Sequence, residues 1–193
     1  MDAIKTIDLT KKYKDLTAVD RLNLTVQQGE LLSLLGVNGA GKTTTIKMLT
    51  GLTRPTSGDA YLLGKSILTE SGLVKNRIAV SPQETAVAPN LTVKENLELM
   101  AGVHGLNKDE AKDKVAESID RFGLGAITGK RAGKLSGGWQ RRLSIAMALI
   151  SDPRILFLDV NCSILFAVYS VYGVREMERN RTAYTAGRKK CVS

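Results

Sequence analysis

Branched and alternating apolar positions dominate the front of the chain, and residues 4–9, 18–26 and 31–35 read as three strands with Gln28-Gly29 as the turn between the last two. From Gly41 the period changes. Ile46, Met48 and Leu49 make a helix that stops at Gly51, and Pro55-Thr56-Ser57-Gly58 turns into a short strand over 59–63. RIAVS at 77–81 is another strand, stopped by Pro82.

The middle third is helical. Thr92 with Glu95, and Asn107 with Glu110, are cap residues followed three positions on by an acid that can bond back, which predicts helices over 93–104 and 108–122. Gly123, Gly125, Gly129 and Gly133 predict a loop-rich connection, after which Leu143, Ala146, Met147 and Ile150 repeat along one helical face. The last strand is 154–158. This alternation predicts a parallel α/β core with a helical insert and an antiparallel sheet in front. There is no internal repeat and no low-complexity tract.

At 193 residues with 43% apolar content the chain suits a folded domain rather than a disordered one. The net charge of +9 is spread among acids rather than massed in a stripe, which favours a solvated surface and a polyphosphate ligand over nucleic acid. Both cysteines, Cys162 and Cys191, lie near the end, so neither a disulfide framework nor a zinc cluster is expected, and a reducing cytoplasm is the natural setting. The charged start lacks the apolar run of a secretion signal. Residues 155–174 resemble a membrane span only superficially, because Asp159, Asn161 and two serines interrupt them.

Candidate chemistry begins with GVNGAGKTT. Gly36, Gly41, Lys42 and Thr43 meet the pattern G-x-x-x-x-G-K-[ST], directly after the apolar run LLSLL and before a helical pattern. Glycines let such a loop curl so that backbone N–H groups point inward; the helix N-terminus adds positive potential, Lys42 reaches terminal phosphates and Thr43 can ligate Mg²⁺. The plain alternative is a glycine-rich turn with an exposed lysine. LSGG at 135–138 offers Ser136 and two bare glycine N–H groups at a second helix start; its plain alternative is a helix capped by Ser136.

In order along the chain, these segments and ILFLD at 155–159 resemble the nucleotide-binding domain of an ATP-binding cassette (ABC) transporter. Tyr13 and Gln83 stand where that family places its adenine-stacking aromatic and its glutamine loop. The resemblance implies a P-loop NTPase fold, α/β, with a parallel-sheet core, an N-terminal antiparallel β subdomain and a helical insert, the C-terminal part of the core missing. It implies ATP and Mg²⁺ as cofactors, with Tyr13 on adenine, and with Gly36, Asn38, Gly39, Ala40, Gly41, Lys42, Thr43 and Thr44 on phosphates. Thr43, Gln83 and Asp159 would serve the metal, and Ser136, Gly137 and Gly138 would close over ATP bound to an opposite copy. Trp139 holds the fifth position of the family's LSGGQ, with Gln140 next. LTVKENLELMAGVHGL and LSGGWQRRLSIAMALISDP are most similar to exporter-type subunits. The implied partners are a separate membrane-spanning subunit and a second ATP-binding subunit, as homodimer or heterodimer, with no nucleic acid; the implied location is the inner face of the membrane.

The resemblance stops at Asp159. Val160 stands where the family has its catalytic glutamate, and the one histidine, His104, precedes LSGG rather than following the last strand. No catalytic residue is therefore assigned, and weak ATP binding with impaired hydrolysis is expected. The expected division is an incomplete ATP-binding domain over 1–160 and a non-family tail, open to disorder, over 161–193. That tail carries six basic and two acidic residues and reads as a truncated or frame-shifted product, with a true variant as the rival. In the family a strand after ILFLD lies between the strands that carry the two phosphate-site motifs. SILFAVYSV at 163–171 has the composition of a strand but follows Asp159 too closely for the dozen or so residues of a parallel crossover. Other readings are a non-catalytic ATP-binding module and a soluble ABC ATPase acting on DNA or ribosomes, for whose long insertions the motif spacing leaves no room.

Overall fold

Strand β1 (Asp2–Tyr13) organises the first sheet, because it pairs antiparallel with β2 (Leu16–Leu22), β3 (Thr25–Gln27) and β5 (Ser57–Leu62), and β5 continues to β6 (Lys65–Ser66). The computed structural model describes residues 1–37, 39–82, 86–160, 163–168 and 190–192, with backbone alone for 159, 160 and those beyond.

The single strand expected over 18–26 is two strands. Asn23 breaks it: its amide oxygen accepts from the Asp8 N–H at 2.9 Å while its amide nitrogen donates to the Asp8 carboxylate at 2.8 Å and the Arg21 carbonyl at 3.1 Å. The Thr6 hydroxyl spans the break, donating to the Leu22 carbonyl at 2.7 Å and accepting from the Leu24 N–H at 2.8 Å. These side chains satisfy backbone groups that a ladder would otherwise pair. Asp8 itself sits in a bulge at φ +45°, and a Cβ on the facing Gly58 would lie 2.3 Å from the Asp8 carbonyl oxygen. Ser57 and Gly58, expected in a turn, therefore already belong to β5.

The second sheet has the order β10 (Lys190–Val192), β4 (Leu31–Leu35), β9 (Ser163–Val168), β8 (Ile155–Val160), β7 (Ile78–Ser81). Strands β4 and β8 run parallel to each other, but β9 between them runs antiparallel to both. The core is thus a mixed sheet rather than a wholly parallel one. Only two residues separate β8 from β9, a distance that permits a hairpin and no crossover. Most of the tail expected over 161–193 lies outside the described residues.

Helix α1 (Lys42–Leu49) packs Ile46, Met48 and Leu49 into one apolar cluster with Ile4, Leu34, Ile155 and Phe157, so a single core underlies both sheets. A short helix, α2 (Ser71–Lys75), was not expected from the sequence; five residues give too little periodicity to see. Met1–Val80 and the strands resuming at Arg154 make up this unit, and Ser81–Pro153 is a second one.

That second unit is the helical insert: α3 (Val93–Val103), α4 (Lys108–Arg121) and α5 (Gly137–Leu149) around buried Val93, Leu97, Val115, Leu143 and Met147. Both anticipated capping boxes are present, Thr92 with Glu95 and Asn107 with Glu110. Helices α3 and α4 stop one residue short of their expected ends, at the C-cap residues His104 and Phe122. The glycine-rich connection is a packed structure. Val93 and Lys94 donate to the Lys130 and Thr128 carbonyls, Ala132 and Gly133 donate to Leu91 and Pro89, and Leu124, Ile127 and Ala132 are buried. Buried Asn96 ties the same region down through three backbone carbonyls and the Ala88 N–H.

Candidate functional site

The loop between β4 and α1 owes its shape to its glycines. Gly39 and Gly41 hold φ of +91° and +80°, the left-handed region that residues with a Cβ rarely enter. Gly41 is needed twice over, because a Cβ there would lie 2.2 Å from the Ala18 carbonyl oxygen and 3.1 Å from Val19 Cγ2. The start of α1 is therefore pressed directly against β2. A Cβ on Gly36 would meet that of Ala40 at 3.1 Å, so the loop folds back on itself there as well.

Lys42, the first residue of α1, bends over this loop and donates to the carbonyls of Gly36 at 2.5 Å and Val37 at 2.8 Å. Thr43 beside it is exposed and Thr44 half-buried. The N-terminus of α1 and the Lys42 ammonium both put positive potential at this loop, a combination that favours anions. Asn38 lies outside the described residues, as does Gln83.

Strand register carries two more residues to this place. Asp159 and Leu34 both pair with Ile164, and Val160 and Leu35 both pair with Ser163. The backbone at Asp159 is therefore level with the end of β4, two strand spacings or roughly 10 Å away. On the other side, Tyr13 ends β1 opposite Leu16, and β2 reaches Ala18, the residue under Gly41, two positions later. Tyr13 is 45% exposed at the hairpin tip. The first unit thus brings together Tyr13, the loop from Gly36 to Thr44, and the backbone of Asp159 and Val160. The donor set suits a nucleotide with a hard cation: Thr43 and Asp159 each offer an oxygen ligand, and such a cation takes the rest of its shell from phosphate oxygens and water.

In the second unit Ser136 occupies the N-cap position of α5, but its side chain makes no capping hydrogen bond, and Ser136, Gly137 and Gly138 are exposed. Trp139 packs against the apolar cluster under the Arg142 guanidinium, 4.6 Å from the ring centroid. Gln140 donates to the Ala132 and Leu135 carbonyls at 3.1 and 3.2 Å, which braces the segment leading into the helix. Sequence reasoning placed Gln140 only as the neighbour of Trp139, and it missed Ala18 altogether, because a carbonyl contact leaves no side-chain signature.

The sequence pattern described as "ABC transporter" matches residues 19–162. The chain is 42% identical to the bacitracin transport ATP-binding protein BcrA of Bacillus licheniformis over 91% of its own length and 55% of that protein's. It is 43% identical to the daunorubicin/doxorubicin resistance ATP-binding protein DrrA of Streptomyces peucetius, over 81% of this chain and 48% of that one. With the probable multidrug ABC transporter ATP-binding protein YbhF of Escherichia coli it shares 40% identity over 81% of this chain and 27% of the relative. It thus spans about half or less of these relatives. Among solved structures, cbiO1 from Clostridium perfringens, part of the ABC transporter complex cbiONQ, superposes with a TM-score of 0.75 at 25% identity, covering 92% of this chain and 71% of that one. An ATP-binding subunit of an ABC transporter gives 0.70 at 26% identity, over 81% and 65%.

The chain belongs to the ABC transporter family, in its ATP-binding domain. Domains of this family bind ATP, generally with Mg²⁺. Among the described residues no helix is long and apolar enough to cross a membrane.

Proposed function

We propose that this chain is an ATP-binding subunit of an exporter, that it holds ATP with Mg²⁺ between the loop around Lys42 and the ring of Tyr13, and that it hydrolyses ATP poorly. The observation that carries the reading is the contact of Gly41 with the Ala18 carbonyl, which unites the phosphate loop with the hairpin that presents Tyr13. Lys42 would leave the Gly36 and Val37 carbonyls for the terminal phosphates, and Gly36, Asn38, Gly39, Ala40, Gly41, Thr43 and Thr44 would complete the phosphate contacts. Thr43, Gln83 and Asp159 are the residues for Mg²⁺, which when bound supplies charge neutralisation of the phosphates.

Slow turnover rests on Val160, which follows Asp159 on β8 and has no group to take a proton from water. Loss of a general base costs about a hundredfold to ten-thousandfold in rate. Pairing with a second ATP-binding subunit through Ser136, Gly137 and Gly138, and docking on a separate membrane-spanning subunit at the inner membrane face, complete the proposal. The transport names of the relatives support that part.

Calorimetric titration with Mg-ATP, beside a phosphate-release assay, tests the reading. Lys42→Ala is expected to weaken ATP binding at least tenfold, and the unaltered chain is expected to release phosphate far below the ordinary enzymatic range of about 1–10³ s⁻¹. Unchanged affinity in Lys42→Ala refutes the site, and turnover within that range refutes the role given to Val160.

A further inference from the structure

Lys11 and Tyr13 stand two residues apart on β1 and so share a face of the strand. The Lys11 ammonium lies 5.0 Å from the centroid of the Tyr13 ring, within the range of a cation–π contact. Its position is fixed by a second contact, because Nζ also donates to the Arg54 carbonyl at 2.8 Å. The segment that carries this carbonyl is itself tied to β1: the Thr56 N–H donates to the Thr10 carbonyl at 2.8 Å, and the Thr56 hydroxyl accepts from the Lys12 N–H at 3.0 Å. One ring face of an otherwise exposed tyrosine is thus occupied by a cation anchored to a separate part of the chain.

We propose that Lys11 is a positioning residue for the nucleotide base: by clamping one face of Tyr13 to the segment at Arg54, it presents the opposite face for stacking. An unclamped tyrosine at a hairpin tip would sample several rotamers and would have to be ordered by the base on binding. With Lys11 in place that ordering is done beforehand. The inference rests on the reading that Tyr13 stacks on adenine, and it adds a determinant specific to the base rather than to the phosphates.

The test compares Mg-ATP with inorganic tripolyphosphate, which has no base, by calorimetry on the full chain and on Lys11→Met, Lys11→Arg and Tyr13→Ala. Lys11→Met keeps the apolar stem and loses the charge. It is expected to weaken ATP by roughly two- to fivefold with tripolyphosphate unchanged, while Lys11→Arg, which can both donate to the carbonyl and lie over the ring, restores the ATP value. Tyr13→Ala is expected to weaken ATP by roughly fivefold to a hundredfold. Equal ATP affinity in Lys11→Met alongside a weakened Tyr13→Ala overturns the role of Lys11 and leaves the stacking reading intact. No effect of Tyr13→Ala overturns the stacking reading and the clamp with it. Parallel loss of both ligands in Lys11→Met overturns the proposal too, since it marks a general disturbance of the fold.

Discussion

Gly41→Ala separates two costs that a phosphate loop imposes on its glycines. The first is the backbone: holding an L-residue in the left-handed region costs about 1–2 kcal/mol. The second is the contact with β2. A Cβ only 2.2 Å from the Ala18 carbonyl oxygen forces either α1 or β2 to move, and overpacking of this kind costs about 1–3 kcal/mol more. Gly39→Ala is the control, because Gly39 is also left-handed, at φ +91°, but a Cβ there meets nothing within 4 Å. Far-UV circular dichroism during urea unfolding is the suitable assay, since the single tryptophan, Trp139, lies in the other unit and gives no local signal at this loop. Gly41→Ala should lose about 1–3 kcal/mol more than Gly39→Ala, and its Mg-ATP affinity should fall as the loop shifts from β2. Stabilities equal to within about 0.5 kcal/mol would refute the argument that the β2 contact, and not backbone freedom alone, demands glycine.

Other expectations concern the supports of the two units. Phe157→Ala removes a fully buried side chain from the shared core and should cost about 3–5 kcal/mol in urea unfolding; a loss below 1 kcal/mol would contradict its place there. Thr92→Ala deletes the cap of α3 and should cost about 1 kcal/mol. Hydrogen bonds from the Thr92 backbone and hydroxyl hold the Glu95 carboxyl below its usual range, so the cap contributes fully above about pH 4.3 and weakens as acid titrates through the lowered value. Hydrogen exchange of α3 between pH 3 and 6 should reveal that slope, and Glu95→Gln should flatten it. The hydrogen bond from Lys114 to Asp152 raises the lysine above its usual value, so this link contributes below about pH 10.4 and is lost as pH rises through the raised value. Thermal melts from pH 8 to 11 should lose that alkaline component in Asp152→Asn.

Much of this protein can be read from local chemistry. A capping box needs only two side chains and the four residues between and including them, and both boxes stand where the sequence put them. The glycine-rich loop between β4 and α1 is likewise a local object, set by Gly39, Gly41 and Lys42 between a strand and a helix. What escaped were features made by distant partners: Asn23 reaching Asp8 to split a strand, and Lys11 reaching Arg54 across more than forty residues. The sequence does not name the partner in either case, since an asparagine that disfavours a strand and a lysine on an exposed strand say nothing of the distant group they reach.

The sequence by itself determined the order of motifs, the capped starts of α3 and α4, the glycine-rich turn before α1 and the absence of a glutamate after Asp159. Tertiary structure alone decided that residues 163–168 take the place between β4 and β8, which sets Asp159 level with the end of β4. It alone decided, too, that Gly41 lies against Ala18. The physical reason is range: loop and cap chemistry are settled among neighbours along the chain, whereas strand neighbours and close backbone contact depend on which segments share an apolar core, and that is settled only when the whole unit packs.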